Sequence, residues 1–147
     1  MNAPKLPTLE EARVFFRRAP FIADLGVEVD AVGAGSCETS LAIAPRLLQH
    51  SAQVHAGVLT TLADHTAGAA AFTTAPPGVF PATAELKISL LRPARGERVV
   101  CRARVVKPGK SLSFVEADVL CTGAGMDEQL VARVSTTMAF IDTRNLA

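Results

Sequence analysis

Residues 49–75 (QHSAQVHAGVLTTLADHTAGAAAFTTA) restrict the chain's possible folds more than any other stretch. After His55-Ala56-Gly57 the stretch continues as a run of Ala, Thr, Gly and Leu, free of proline until Pro76-Pro77. This composition predicts one long helix of about 20 residues, ended by the double proline. Its side chains are small on most faces. That suits a helix with something packed closely around it, such as a curved sheet. Asp64 stands in its middle. An ionised carboxylate in so apolar a helix is costly without a partner, which marks Asp64 as a functional candidate rather than a surface acid.

The flanking segments supply the wrapping. Thr8 and Glu11 have the spacing of a capping box, with Glu10 and Glu11 at the positive end of a helix and Arg17 and Arg18 at its negative end. Pro20 is expected to end that helix. Leu9, Ala12, Val14, Phe15 and Phe16 cover one face, so it reads as a packing helix at the domain edge. Residues 25–33 and 36–44 each alternate apolar with polar, and Gly33 and Gly35 lie between them, as in an antiparallel hairpin. Residues 79–91 alternate again, with Phe80, Ala82, Ala84, Leu86, Ile88 and Leu90 on one face and Thr83, Glu85, Lys87 and Ser89 on the other. Residues 98–106, 111–121 and 129–141 follow after short turns, so the last four strands are expected to form a meander of neighbours. The order is helix, two strands, long helix, four strands. It predicts an α+β chain whose single antiparallel sheet curls around the central helix, with residues 1–147 as one domain and residues 1–20 as an N-terminal helical segment.

Composition narrows the function. Of the 147 residues, 49% are hydrophobic and 20% charged, as in a globular protein. A net charge of +1 argues against a general nucleic-acid binder. No apolar run approaches the roughly 18 residues needed to span a bilayer, and the first residues lack a signal-peptide core, so a cytoplasmic location without membrane partners is expected. Cys37, Cys101 and Cys121 show no paired spacing and read as buried free thiols. His50, His55 and His65 form no i, i+4 ligand pair and HExxH is absent, so no metal site is expected. Neither GxSxG nor GxGxxG is present.

His55-Ala56-Gly57 followed by Leu62-Ala63-Asp64 resembles the signature of the phenylacetyl-CoA thioesterase-like acyl-CoA thioesterases. In that family an Asn precedes His-Gly-Gly, and Leu-Ala-Asp follows nine residues after the His. The strand Ala82-Thr83-Ala84-Glu85-Leu86-Lys87 and the segment Leu90-Leu91-Arg92-Pro93-Ala94 are also similar to the family's next strand. The resemblance covers most of the chain beyond the first helix. It implies a hotdog fold and hydrolysis of an acyl-CoA, aromatic or short to medium in chain, with coenzyme A as part of the substrate and no further cofactor. Two positions depart from the pattern. Gln49 stands for the Asn, which moves the amide by one methylene, and Ala56 stands for the first Gly, which adds a methyl near the thioester. Both bear on substrate choice.

Hydrolysis of a thioester needs an activated nucleophile, donors for the developing oxyanion and a pocket that sets the acyl carbon between them. Asp64 suits a general base on water or a direct nucleophile. The amides of Ala56 and Gly57 lie in the first helical turn, unbonded within the helix and at its positive end, and suit an oxyanion hole. Gln49 is a candidate for orienting water or the carbonyl, or an anchor for its own loop. His55 is read as bonding backbone at the helix start rather than moving a proton. Thr83 matches a position where relatives place the water through a Ser or Thr. Arg92, Arg95, Lys107 and Lys110 fit the coenzyme A phosphates by charge. Ala56 and Asp64 are eight residues apart, about 12 Å along one helix, too far for one thioester carbon to reach both. If both act, the site is shared between two copies. The family pairs its chains in that way, which implies a homodimer, with homotetramers among relatives. The alternative is a non-catalytic acyl-CoA-binding or regulatory protein of the same fold. A hydratase is disfavoured, since no Asp-x-Asn-x-x-His arrangement is found.

Overall fold

A computed structural model describes residues 6–145. The parts of the expected N-terminal helical segment and of the single domain that fall on residues 1–5 and 146–147 lie outside the described residues. The elements are α1 (Leu9–Arg17), α2 (Pro20–Leu25), β1 (Glu28–Gly33), β2 (Ser36–Ala42), α3 (Ala56–Phe72), β3 (Val79–Leu90), β4 (Arg98–Lys107), β5 (Leu112–Gly123) and β6 (Met126–Asp142). All six strands form one antiparallel sheet in the order β1-β2-β4-β5-β6-β3. The helix α3 packs against β2, β3, β4, β5 and β6. This is the hotdog fold that the sequence order predicts.

Close approach of helix and sheet follows from the small side chains. Ala63, Ala67, Ala70 and Ala71 are fully buried between them, and Leu59 and Leu62 fill the wider gaps. Truncating Leu62, which is 0% exposed, to Ala is expected to cost about 2–5 kcal/mol in urea unfolding. Thr66 donates to the Leu62 carbonyl at 2.6 Å and also meets Thr39 of β2 at 2.6 Å. Its one proton is committed to the carbonyl, so Thr39 is the donor in that buried pair. Cys37, Cys101 and Cys121 are free and buried. Burial pushes their thiols up to about 12, 12 and 11, which leaves them inert small apolar groups.

Three local expectations need correction. Pro20 does end α1, but it also begins α2, where it occupies the first helical turn after an extended Ala19. A proline lacks only an amide that has no helical acceptor there, so it starts a helix as well as it stops one. Gly26, at φ +79°, closes α2. The last four strands are not a simple meander. β4, β5 and β6 are consecutive neighbours, but β3 lies at the far edge against β6, and β4 pairs with β2. The helix α3 crosses the concave face from β2 and delivers the chain to the opposite edge. The alternation along β3 is also broken. Thr83 pairs with Met138 and Glu85 with Thr137, so Ala84 is bulged out. Ahead of the bulge Pro81 and Thr83 face inward; beyond it Leu86 and Ile88 do. A bulge inserts one residue and so exchanges the two faces of a strand.

Candidate active site

The loop ahead of α3 presents the helix start. Residues 45–47 make a 3-10 turn, and Leu48 and Val54 pair across a tight bend whose Ala52 has φ +58°. The Gln49 side chain folds back on this bend, accepting from the Ser51 amide at 3.0 Å and donating to the Ser51 hydroxyl. The amide is thus tied to its own loop through one N–H and one lone pair, on the wall of a cleft. His55 caps the helix. Its Nδ1 accepts from the Gly57 amide at 2.9 Å, which requires the tautomer with hydrogen on Nε2. A Cβ on Gly57 would sit 3.0 Å from that nitrogen, so the glycine is what lets the ring lie so close. Val58 N–H bonds to the His55 carbonyl. Of the two amides singled out, Gly57 is thus occupied, whereas the Ala56 amide has no acceptor among the described residues. Ala56 opens on a cleft of about 480 Å³ that Leu59, Leu90 and Arg92 also line.

Asp64 lies two turns further along, half-buried, and opens on two other grooves. Thr83 Oγ1 donates to Asp64 Oδ1 at 2.6 Å. Thr60 and Thr61, adjacent on the helix, bond back to the carbonyls of Ala56 and Gly57 and leave the carboxylate alone. The Asp64–Thr83 pair divides the surface between α3 and β3. On one side a groove of about 450 Å³ runs past Thr60, Thr61, Phe21 and Leu86. On the other a pocket of about 130 Å³ is walled by Gly68, Ala69, Phe15, Phe72 and Phe80. His65 also lines both of these, and its ring stands perpendicular to that of Phe16, with centroids 4.6 Å apart. Burial lowers its pKa from 6.5, with the Asp64 charge opposing.

Gln49, His55, Ala56, Gly57 and Arg92 thus lie around the helix start, and Asp64 with Thr83 around its middle, in separate clefts of one chain. The four basic residues are also divided. Arg92 lines the helix-start cleft and donates to the Leu130 carbonyl, and Arg95 lies on the same connection between β3 and β4. Lys107 ends β4 and Lys110 follows it, about 30 Å of strand away from Arg98. In one chain they do not face the cleft that holds Arg92. Phe15 and Phe80 are legible in the sequence only as residues on the faces of a helix and a strand, and Phe72 carries no signal at all; nothing in their spacing says that three elements bring them to one pocket. Among the described residues no group of three or more His, Cys, Asp or Glu converges as a metal site.

The thioesterase superfamily model matches residues 53–125, which run from the helix-start loop to the β5–β6 turn. A structure of a thioesterase family protein from Silicibacter pomeroyi is 33% identical, covers 88% of this chain and 95% of that one, and superposes with a TM-score of 0.85. The Escherichia coli PaaI protein from the phenylacetic acid degradation operon shares the fold, with a TM-score of 0.79 at 18% identity over 90% of this chain and 91% of that one. A candidate esterase of Halobacterium salinarum is 33% identical over 101 residues, which span 65% of this chain and 66% of that protein, just under two thirds of its length. The chain belongs to the thioesterase superfamily, a hotdog-fold class of thioester hydrolases.

Proposed function

We propose that the chain hydrolyses an acyl thioester of coenzyme A, with Asp64 as the reactive carboxylate and the Ala56 amide of a second copy as oxyanion donor. The observation that carries this reading is the Asp64–Thr83 pair. A half-buried carboxylate is held by one 2.6 Å hydrogen bond between two apolar grooves, a position that serves a reaction better than it serves folding. Acting as base, Asp64 takes a proton from water while the water oxygen bonds to the acyl carbon. The carbonyl oxygen gains the negative charge and is held by the Ala56 N–H. Collapse of this intermediate breaks the carbon–sulfur bond, and the proton passes from Asp64 to the departing thiolate. Acting as nucleophile, the carboxylate bonds to the acyl carbon and expels the coenzyme A thiolate, which leaves a mixed anhydride; water then opens it, restoring Asp64 and releasing the acid, whose proton passes to the thiolate. The products are the free acid and coenzyme A in either case.

A homodimer is part of the reading. The free amide and the carboxylate open on different clefts of one chain, and two turns of helix separate them. The 12-residue β3 is an edge strand whose outer row of amides and carbonyls is open to a second copy. A partner seated along it would cover the Asp64 grooves. Arg92 and Arg95, near the helix start, are the basic residues suited to the coenzyme A phosphates there. Lys107 and Lys110 suit them only from another subunit.

The test is thiol release over short, medium, long and aromatic acyl-CoAs, with Asp64→Asn and Asp64→Ala alongside. Turnover is expected to fall by about 10²–10⁴-fold in both variants while acyl-CoA binding persists. Parental turnover by Asp64→Ala would overturn the mechanism. Binding without turnover by the parent would favour the acyl-CoA-binding alternative.

A further inference from the structure

We propose that the Phe15–Phe72 stack is a partition that limits the length of the acyl group, with Phe15 as a specificity-determining residue. The proposal rests on the thioesterase reading of the Asp64 grooves. The pocket beside Asp64 has a volume of about 130 Å³. An apolar cavity of about 150 Å³ holds one benzene ring, so this one fits a single ring or a chain of about six carbons. Behind it, under α1, lies a second pocket of about 250 Å³ that reaches Val32 and Cys37. Phe15, Ala69 and Phe72 line both pockets. Ala69 contributes only a methyl, so the two rings form most of the wall.

The rings of Phe15 and Phe72 are parallel to within 2°, with centroids 6.0 Å apart, and Phe80 leans on both at 6.0 Å. This is an offset stack. The groove on the other side of Asp64 is wider and carries Thr60 and Thr61, so the enclosed aromatic side is the better receptor for an acyl group. Phe15 is not what holds α1 in place. The helix is anchored by Arg13 donating to the Val29 carbonyl at 3.1 Å and by Phe16, which is 2% exposed against 39% for Phe15. Truncating Phe15 therefore joins the two pockets and leaves the helix seated.

The experiment measures binding of butyl, hexyl and dodecyl thioethers of coenzyme A, which cannot be hydrolysed, to the parent, Phe15→Ala, Phe15→Leu and the surface control Val14→Ala. The parent and Val14→Ala should bind the hexyl compound at least about tenfold more tightly than the dodecyl one. Phe15→Ala should bind dodecyl as tightly as hexyl, and Phe15→Leu, which keeps apolar bulk but loses the stack, should fall between. If Phe15→Ala does not fold, the Phe15→Leu ratio decides. A parent indifferent to chain length, no binding of any thioether by the parent, or a folded Phe15 variant with the parental ratio would overturn the partition. Turnover of the matching thioesters is read alongside. Length-selective binding without turnover sinks the hydrolase and leaves the partition; equal turnover of all lengths sinks the partition and leaves the hydrolase.

Discussion

Ala56 is the first residue of α3, and its amide can be removed without disturbing the helix. Proline is well tolerated at that position, because no intrahelical bond is lost there. The preceding His55, at φ −63° and ψ 137°, is already in the extended region that a following proline requires. Ala56→Pro should therefore fold and bind substrate, yet turn over about 10²–10³-fold more slowly. Steady-state kinetics with a thermal melt check this; parental turnover in a folded Ala56→Pro would remove the amide from the mechanism. His65 belongs to the same scale. Its pKa is lowered, so the unfolded chain binds the proton more readily than the folded one. Stability should be complete above the ordinary value of 6.5 and decline as pH falls below it. Urea midpoints near pH 7.5 and near pH 5 should show a smaller loss for His65→Gln than for the parent; identical losses would contradict this account of His65.

At the scale of elements, the bulge at Ala84 aligns the site with the core. It lets Thr83 face Asp64 while Leu86 and Ile88 still face inward. Deleting Ala84 restores strict alternation, so either Thr83 or the pair beyond it must turn outward. The expected cost is about 2–3 kcal/mol of stability if the apolar pair is exposed, or loss of turnover if Thr83 leaves Asp64. Urea unfolding and thiol release distinguish these, and a deletion variant parental in both would show that the bulge is idle. The same strand shows where the sequence stopped being legible. Its length and composition were plain, but a bulge at a residue as small as Ala84 leaves no mark in an alternating run. α2 was hidden because Pro20 signals a boundary without saying which side of it is helical. The edge position of β3 depends on where α3 delivers the chain, which no local pattern encodes. By contrast α1, the β1–β2 hairpin and α3 were legible, since capping residues, paired glycines and small side chains act locally.

At the scale of the molecule, the reading turns on two half-sites. The helix-start cleft holds a free amide, and the Asp64 grooves hold the carboxylate and its threonine. Both were visible in the sequence as residue types on one helix, and their separation followed from helical rise. What the sequence left open was the use of the amides: His55 occupies Gly57, which leaves Ala56 as the free donor. Gln49 likewise ties its side chain to Ser51, a choice made by the bend at Ala52 and not by any motif. The central claim is that one copy supplies the amide and the other the acid. Co-expressing Asp64→Ala with Ala56→Pro tests it most directly. Two-fold pairing of two such chains leaves one intact site in each mixed dimer, so a random mixture should recover about a quarter of parental turnover from two nearly inactive parents. A mixture no more active than either variant alone, with mixed dimers present, would contradict the shared site.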